Sequence, residues 1–500
     1  MRMSSRRGFI AATTAIASLA ASSRSRAEPP GDLAELTATQ ALEQIEASTI
    51  GAADYASALA QRAEAAAGLN ALLSTRWAEA IAEARAFDAA RRGDAPLAGL
   101  PLVVSDNLDS ASLPTTAGTP ALKDWQPSID AQALAMALTA GGVLAAKANV
   151  HELGFGMTSN NPSFGPVRNP YAPELIPVGA SGGVAAAVAA RMAPLGLAGD
   201  TNGSCRVPAA LCGCVGFRPT LGRWPQAGMV ALSATFDTPA PIARSVADIM
   251  LLDGICAEAP VRIEPVELKG LRLGLPRAAF YADLDSELAA VVDAAVALLQ
   301  GTGVELVEVD IAQLVELDEA VGPPILLHEA LRELASYLYS RNNHLSVLDL
   351  LLQMAGENER AVLLGIAGPA AIPAAAYREA LIVARPRLQA LYADCFAANA
   401  IDAIIAPTTP LPARPIGEEA EVELNGRGVP TFAIYSRNVD PPSHAGLPAL
   451  SLPAGLTSAG LPVGLELVGP RMGDGRLLAI AAAVEAALPP LPPPLPPPRI

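Results

Sequence analysis

The chain is short of the residues from which several kinds of site are built. Only four histidines occur, His151, His328, His344 and His444, and they lie far apart in the sequence. That spread argues against a histidine-rich metal site; isolated core or surface positions account for such residues. The five cysteines, Cys205, Cys212, Cys214, Cys256 and Cys395, are an odd number in 500 residues. They read as buried thiols and not as a disulfide framework. Positive charge is scarce: 34 lysines and arginines face 50 aspartates and glutamates, a net charge of −16. An acidic chain gains nothing from neutralising phosphates, so nucleic acid is not expected as a partner. No zinc-finger, phosphate-loop or dinucleotide-binding pattern is present, and no internal repeat.

What is abundant is apolar surface. Hydrophobic residues make up 51% and charged residues 17%, enough for a large buried core and incompatible with wholesale disorder. At the start, Ser4-Ser5-Arg6-Arg7-Gly8-Phe9-Ile10 precedes an alanine-rich apolar run, Ala11 to Ala21, and then Ser25-Arg26-Ala27. Paired arginines, apolar run and small residues at a cleavage site, in that order, predict a twin-arginine export signal over residues 1–27. An amphipathic first helix is the plainer alternative. The run is too short, and too rich in Ala and Thr, for a permanent membrane span. The mature chain is expected to start near Glu28 and to work in the periplasm or outside the cell. At the other end, residues 489–500 form a proline-rich tail, expected to be extended and solvated.

Between these, residues 28–488 read as one α/β domain. Leu33, Leu36, Ala41, Leu42 and Ile45 recur at helical spacing, and residues 32–95 read as helices throughout. Strands are expected at Leu100–Val104, Val143–Ala146, Leu271–Leu275, Val304–Val309 and Ala403–Ala406. Helices are expected at Ala131–Ala140, Val184–Ala193 and Leu288–Leu299. Strands alternating with helices indicate a layered fold. Residues 310–400 read as a mostly helical insert without motifs, expected to shape a pocket entrance.

Three stretches carry the chemistry: Gly99-Leu-Pro-Leu-Val-Val-Ser-Asp-Asn-Leu-Asp109, Pro177-Val-Gly-Ala-Ser-Gly-Gly183 and Asp200-Thr-Asn-Gly-Ser-Cys-Arg-Val-Pro208. Around them stand Lys147-Ala-Asn-Val-His-Glu152, Phe164-Gly-Pro-Val-Arg-Asn-Pro170, Gly216-Phe-Arg-Pro219 and Gly446-Leu-Pro-Ala-Leu-Ser-Leu-Pro-Ala-Gly455. In order and spacing this set resembles the amidase-signature hydrolases. His151–Pro170 and Pro208–Cys212 look most like the mandelamide and indoleacetamide hydrolases. The resemblance implies a mixed central β-sheet covered by helices on both faces. It also implies cleavage of linear amide bonds with no cofactor and no metal, and an aryl-acetamide-like small molecule as ligand.

The resemblance further implies a serine nucleophile, a bridging serine on a cis peptide, and a buried neutral lysine that accepts the relayed proton. Here the nucleophile position is Ser204, in a turn whose backbone N–H groups, at Thr201, Asn202, Gly203 and Ser204, map to an oxyanion hole. Asn202 stands where glycine is usual, and Asn tolerates positive φ better than most residues. The bridging position holds Ala180, whose methyl group cannot relay a proton. The lysine position holds Ser105, which has no useful basicity near neutral pH. Ser181 is retained, either as a substitute relay or as a brace for its loop. Lys147, Asp106 and Lys123 are the nearby ionisable groups; Lys123 is expected on the surface.

Two readings follow. In one, the chain is a non-catalytic or barely catalytic amidase-family protein that keeps an aryl-amide-type pocket. In the other, it is a working amidase that activates Ser204 through a rerouted relay, by Ser181 with Asp106 or Lys147. A positioned base contributes about 10²–10⁴ in rate, and members of one relay are not additive. An intact oxyanion hole and pocket still leave roughly 10³–10⁴ over water.

Overall fold

A computed structural model describes residues 31–90 and 95–494. The predicted export signal and the last residues of the tail lie outside the described residues. Eleven strands form one sheet, and its mixed character is as the sequence implies. In chain order they are β1 (Leu72–Thr75), β2 (Pro101–Ser105), β3 (Val143–Ala148), β6 (Leu195–Asp200), β7 (Val215–Arg218) and β8 (Thr238–Ala243), then β9 (Arg272–Leu275), β10 (Glu305–Glu308), β11 (Ala403–Pro407), β14 (Ala449–Leu456) and β15 (Pro462–Val468). Two small ribbons lie apart from it: β4 (Asn160–Asn161) with β5 (Gly165–Pro166), and β12 (Glu421–Leu424) with β13 (Arg427–Pro430).

The spatial order is β1-β3-β2-β6-β8-β7-β14-β15-β11-β9-β10. β2 runs parallel to β3 and β6, and β9 runs parallel to β10 and β11. The strands between these groups pair antiparallel. Alternation along the strands divides the core. Val103, Ala146, Ala148, Ala198 and Ile242 pack with the small-residue helix Gly182–Ala189 on one face. Leu102, Val104, Leu144, Leu197 and Phe217 belong to the larger cluster on the other. The helix is alanine-rich because it approaches the sheet closely: a Cβ at Gly183 would collide with the carbonyl of Asn149.

Residues 32–95 are not all helical. Leu72–Thr75 is an edge strand, antiparallel to β3. β8 carries Pro239 and Pro241 inside a buried strand. It is possible there because β7 pairs only with Ile242 and Ala243, so no second ladder needs the missing N–H groups. The Cys205 thiol instead reaches the carbonyl of Pro241 at 3.4 Å. All five cysteines are free and buried.

The segment 314–399 is mostly helical. Its long helix, Leu314–Ser340, is tied to the loops around the sheet's end. Glu329 accepts from the hydroxyls of Ser233 (2.5 Å), Thr235 (2.6 Å) and Tyr377 (2.8 Å). Tyr337 and Arg341 both donate to Asp109, at 2.7 and 2.6 Å. No helix among the described residues is long and apolar enough to cross a membrane.

Candidate active site

β2 and β6 are parallel neighbours, so Ser105 and Asp200 end their strands at the same edge of the sheet. The turn that follows β6 carries Ser204, and the loop before the helix Gly182–Ala189 meets it there. The Ser181 N–H donates to the Ser204 carbonyl at 3.2 Å. The Gly179–Ala180 peptide is cis. Its loop is held by His151, whose N–H donates to the Ala180 carbonyl at 3.1 Å, and by the Ser159 hydroxyl against the carbonyls of Val178 and Ala180.

The turn is built on a buried carboxylate. Asp200 accepts from the backbone N–H of Gly203 at 3.0 Å and of Cys205 at 3.3 Å. Burial pushes its pKa up, but the guanidinium groups of Arg206 and Arg218 overcome this and hold it at about 2. Arg206 also pairs with Glu466, and Arg218 donates to the carbonyl of Asp200. Positive φ falls on Gly203, at +87°, where a Cβ would run into Val439. Asn202 does not have positive φ, so the tolerance expected of it is not what the turn uses. Among the described residues, the N–H groups of Asn202 and Ser204 donate to no other group.

A narrow cavity opens beside Ser204. Ala180, Ser181, Gly199 and Ser204 line one part of it. Leu153, Met229, Val230 and Leu232 form an apolar wall, and Asn107, Thr201 and Asp237 supply polar groups. Asp237 is fixed by the Thr201 hydroxyl at 2.6 Å and by the N–H groups of Leu232 and Ser233. Burial raises its pKa. Met229, Val230, Leu232 and Asp237 lie outside the motifs that drew attention in the sequence, whereas Leu153 falls within His151–Pro170. Only the fold brings Leu153 and residues 229–237 to Ser204.

Of the ionisable groups that the sequence offered as a base, Lys147, Asp106 and Lys123, none hydrogen-bonds to Ser204. Ser105 is fully buried, and its Oγ has no hydrogen-bond partner. It pairs in register with Ala148, while Val104 pairs with Lys147. Successive strand residues face opposite ways, so Ser105 points to the face of the small-residue helix and Lys147 to the other. The Lys147 ammonium donates to the Leu108 carbonyl (2.7 Å), the Thr115 hydroxyl (3.0 Å) and the Pro114 carbonyl (3.3 Å), and pairs with Asp106 at 3.2 Å. Burial lowers its pKa, against the pull of Asp106. The other oxygen of Asp106 accepts from the N–H and hydroxyl of Thr116. Lys123 is exposed. The Ser181 hydroxyl donates to the Gly199 carbonyl at 3.4 Å. No lysine or carboxylate hydrogen-bonds to the side chain of Ser181 or Ser204 among the described residues.

Comparison with known proteins places this arrangement in a family. The amidase family model matches residues 54–478. An indoleacetamide hydrolase of Rhizobium radiobacter is 43% identical over 446 residues, 89% of this chain and 96% of that protein. A mandelamide hydrolase of Pseudomonas putida is 36% identical, over 91% of this chain and 92% of that one. The native peptide amidase of Stenotrophomonas maltophilia superposes with a TM-score of 0.80 at 28% identity, covering 93% of this chain and 99% of that structure. The cis-peptide loop, the serine turn and the mixed sheet that holds them therefore belong to a member of the amidase signature family.

Proposed function

We propose that this chain is an exported, catalytically impaired amidase-family protein that keeps a pocket for aryl-acetamide-type ligands. One observation carries the impairment: among the described residues no lysine or carboxylate hydrogen-bonds to the Ser204 hydroxyl, and Ser105 and Ala180 stand where the resemblance puts the lysine and the bridging serine. Lys147 does not replace them, since it leaves the other face of the sheet and its ammonium is already ringed by acceptors. Ser204, Thr201, Asn202 and Gly203 keep the nucleophile and oxyanion-turn positions, and Ser181 braces the loop beneath them.

The apolar wall of Leu153, Met229, Val230 and Leu232 beside a polar floor suits an aromatic ring with a short amide arm. The enclosed space in this conformation is about 10 Å³, near that of one water molecule, so an aryl ligand enters only as these wall side chains move aside. The names of the relatives, indoleacetamide and mandelamide hydrolase, agree with that chemistry. Export rests on the Arg6-Arg7 segment alone.

Titration calorimetry of the mature chain with phenylacetamide tests the pocket. Saturable binding that weakens in Leu232→Asp is expected. No heat with phenylacetamide, mandelamide or indoleacetamide would remove the ligand reading. The competing account, a working amidase with a rerouted relay, is favoured by the retained Ser204 and its unpaired turn N–H groups. It requires ammonia release that depends on Ser204.

A further inference from the structure

Behind the serine turn lies a buried chain of polar groups that the hydrolase resemblance does not account for. Asn202 directs its side-chain Nδ2 at two acceptors: Asp440 Oδ1 at 2.8 Å and His444 Nε2 at 3.0 Å. His444 Nδ1 lies 2.6 Å from Asp318 Oδ1, on the long helix of the insert. An amide NH₂ can meet an imidazole nitrogen only where that nitrogen is a bare lone pair. With Nδ2 facing both groups, the arrangement fits neutral His444, protonated on Nδ1 toward Asp318, and an Asp440 that accepts. In this state Asn202 Oδ1 is buried with no partner, a costly condition for an amide oxygen.

We propose that Asn202 is a proton-operated latch on the serine turn: when His444 and Asp440 each take up a proton, its amide turns over and offers them Oδ1 in place of Nδ2. A proton on His444 Nε2 would oppose the amide NH₂, so one partner must rotate. The imidazole is the fixed one. Gly322 packs so closely on its Cε1 that a Cβ there would collide with the ring. Phe236 lies against it with ring centroids 4.6 Å apart, and Asp318 holds its far side. The amide, with near-identical shape either way round, is the part free to exchange ends. Once turned, its single oxygen faces both partners, so Asp440 must carry a proton too. The two uptakes are thus joined through one side chain; the oxygen gains the partners it lacked, and the NH₂ takes the unpartnered position the oxygen leaves.

The surrounding charges act on both groups. Burial disfavours the His444 cation, but Asp318 on the insert helix and Asp440 on its own helix more than offset this and raise its pKa; Arg218, on β7, opposes them. Arg385 approaches only the His444 backbone carbonyl, at 2.9 Å. Burial and Asp318 push Asp440 up to about 6, against the pull of His444 and the hydrogen bonds from Ser436 and Asn202. The latch thus joins pH to the turn next to Ser204, and through Asp318 to the helical insert. Its link to ligand binding rests on the pocket reading above; the flip does not.

The test is an NMR titration of the mature chain from pH 9 to 5, with ¹⁵N-labelled histidine rings and asparagine side chains. With four histidines, His444 is assigned by loss in His444→Gln or by elimination with His344→Gln and His328→Gln. The expected result is an Nδ1–H neutral tautomer at high pH, and an Asn202 Nδ2H₂ signal that moves at the same midpoint as the His444 ring. In Asp440→Asn the His444 midpoint should fall. An Asn202 signal that stays fixed while His444 titrates would overturn the latch, and so would a His444 ring that holds one form across the range. Phenylacetamide binding measured on the same samples reports on the pocket separately. Its absence with a moving Asn202 signal would refute the pocket and leave the latch standing.

Discussion

Ser105 and Lys147 stand on adjacent parallel strands, one register step apart, and project from opposite faces of the sheet. Lys147, which the sequence offered as a possible base, is thereby committed to structure. Its buried pair with Asp106 closes the loop that runs from Ser105 to Thr116. Lys147→Met should leave Asp106 buried without its counter-charge and cost about 3–5 kcal/mol. Urea unfolding measures this directly. Any slow turnover of an activated ester should survive in the variant wherever it remains folded.

Restoring the relay should restore chemistry. Ser105→Lys with Ala180→Ser places a base and a bridging hydroxyl on the helix face of β2, beside the loop that already carries the Ser181–Ser204 bond. The double variant should gain about 10²–10⁴ in ammonia release from an aryl acetamide. Each single variant should gain little, because the relay works as a unit. A double variant that folds, binds and shows no gain would contradict the site assignment.

The charge network under the turn makes a pH prediction. Burial raises Glu466 to about 7, against the pull of Arg206, whereas a free glutamate titrates near 4.3. The folded state therefore holds this proton more tightly than the unfolded chain. Its contribution is fully present below about pH 4 and is lost as pH rises through about 7, an effect of roughly 3–4 kcal/mol. Asp200, held at about 2, acts in the opposite sense and only in acid. Glu466→Gln should therefore gain stability relative to the parent as pH rises from 5 to 8. Thermal melts of the two proteins at matched pH values test it.

Much of this was readable beforehand, and the parts that were not share a cause. Helices such as Gln132–Thr139 and Ser286–Gly301 follow from apolar periodicity, and β2, β3 and β11 from compact apolar runs. β6 and β8 gave no such signal. Leu195-Gly-Leu-Ala-Gly-Asp200 is rich in small residues, and Thr238-Pro-Ala-Pro-Ile-Ala243 contains two prolines. Both become strands because tertiary pairing outweighs weak local preference. At the site, motif spacing drew attention to Ser204, Ser181, Ala180 and Ser105, of which the first three line one cavity. It could not show that Lys147 faces away, which depends on strand register, nor that His444 stands behind Asn202, 242 residues earlier in the chain.

Export makes its own prediction. Replacing Arg6 and Arg7 together by lysine should retain the folded precursor in the cytoplasm of a host with a twin-arginine system. The parent should appear, cleaved near Ala27, in the periplasmic fraction. Immunoblotting of fractions from both strains measures this.

The central claim is that the retained serine has lost the proton path that made it a nucleophile. Ammonia release from a panel of aryl acetamides, by the purified mature protein beside its Ser204→Ala variant, tests it most directly. The account predicts no difference between the two proteins. Release that is clear in the parent and absent in the variant would contradict it and establish a working amidase with a different base.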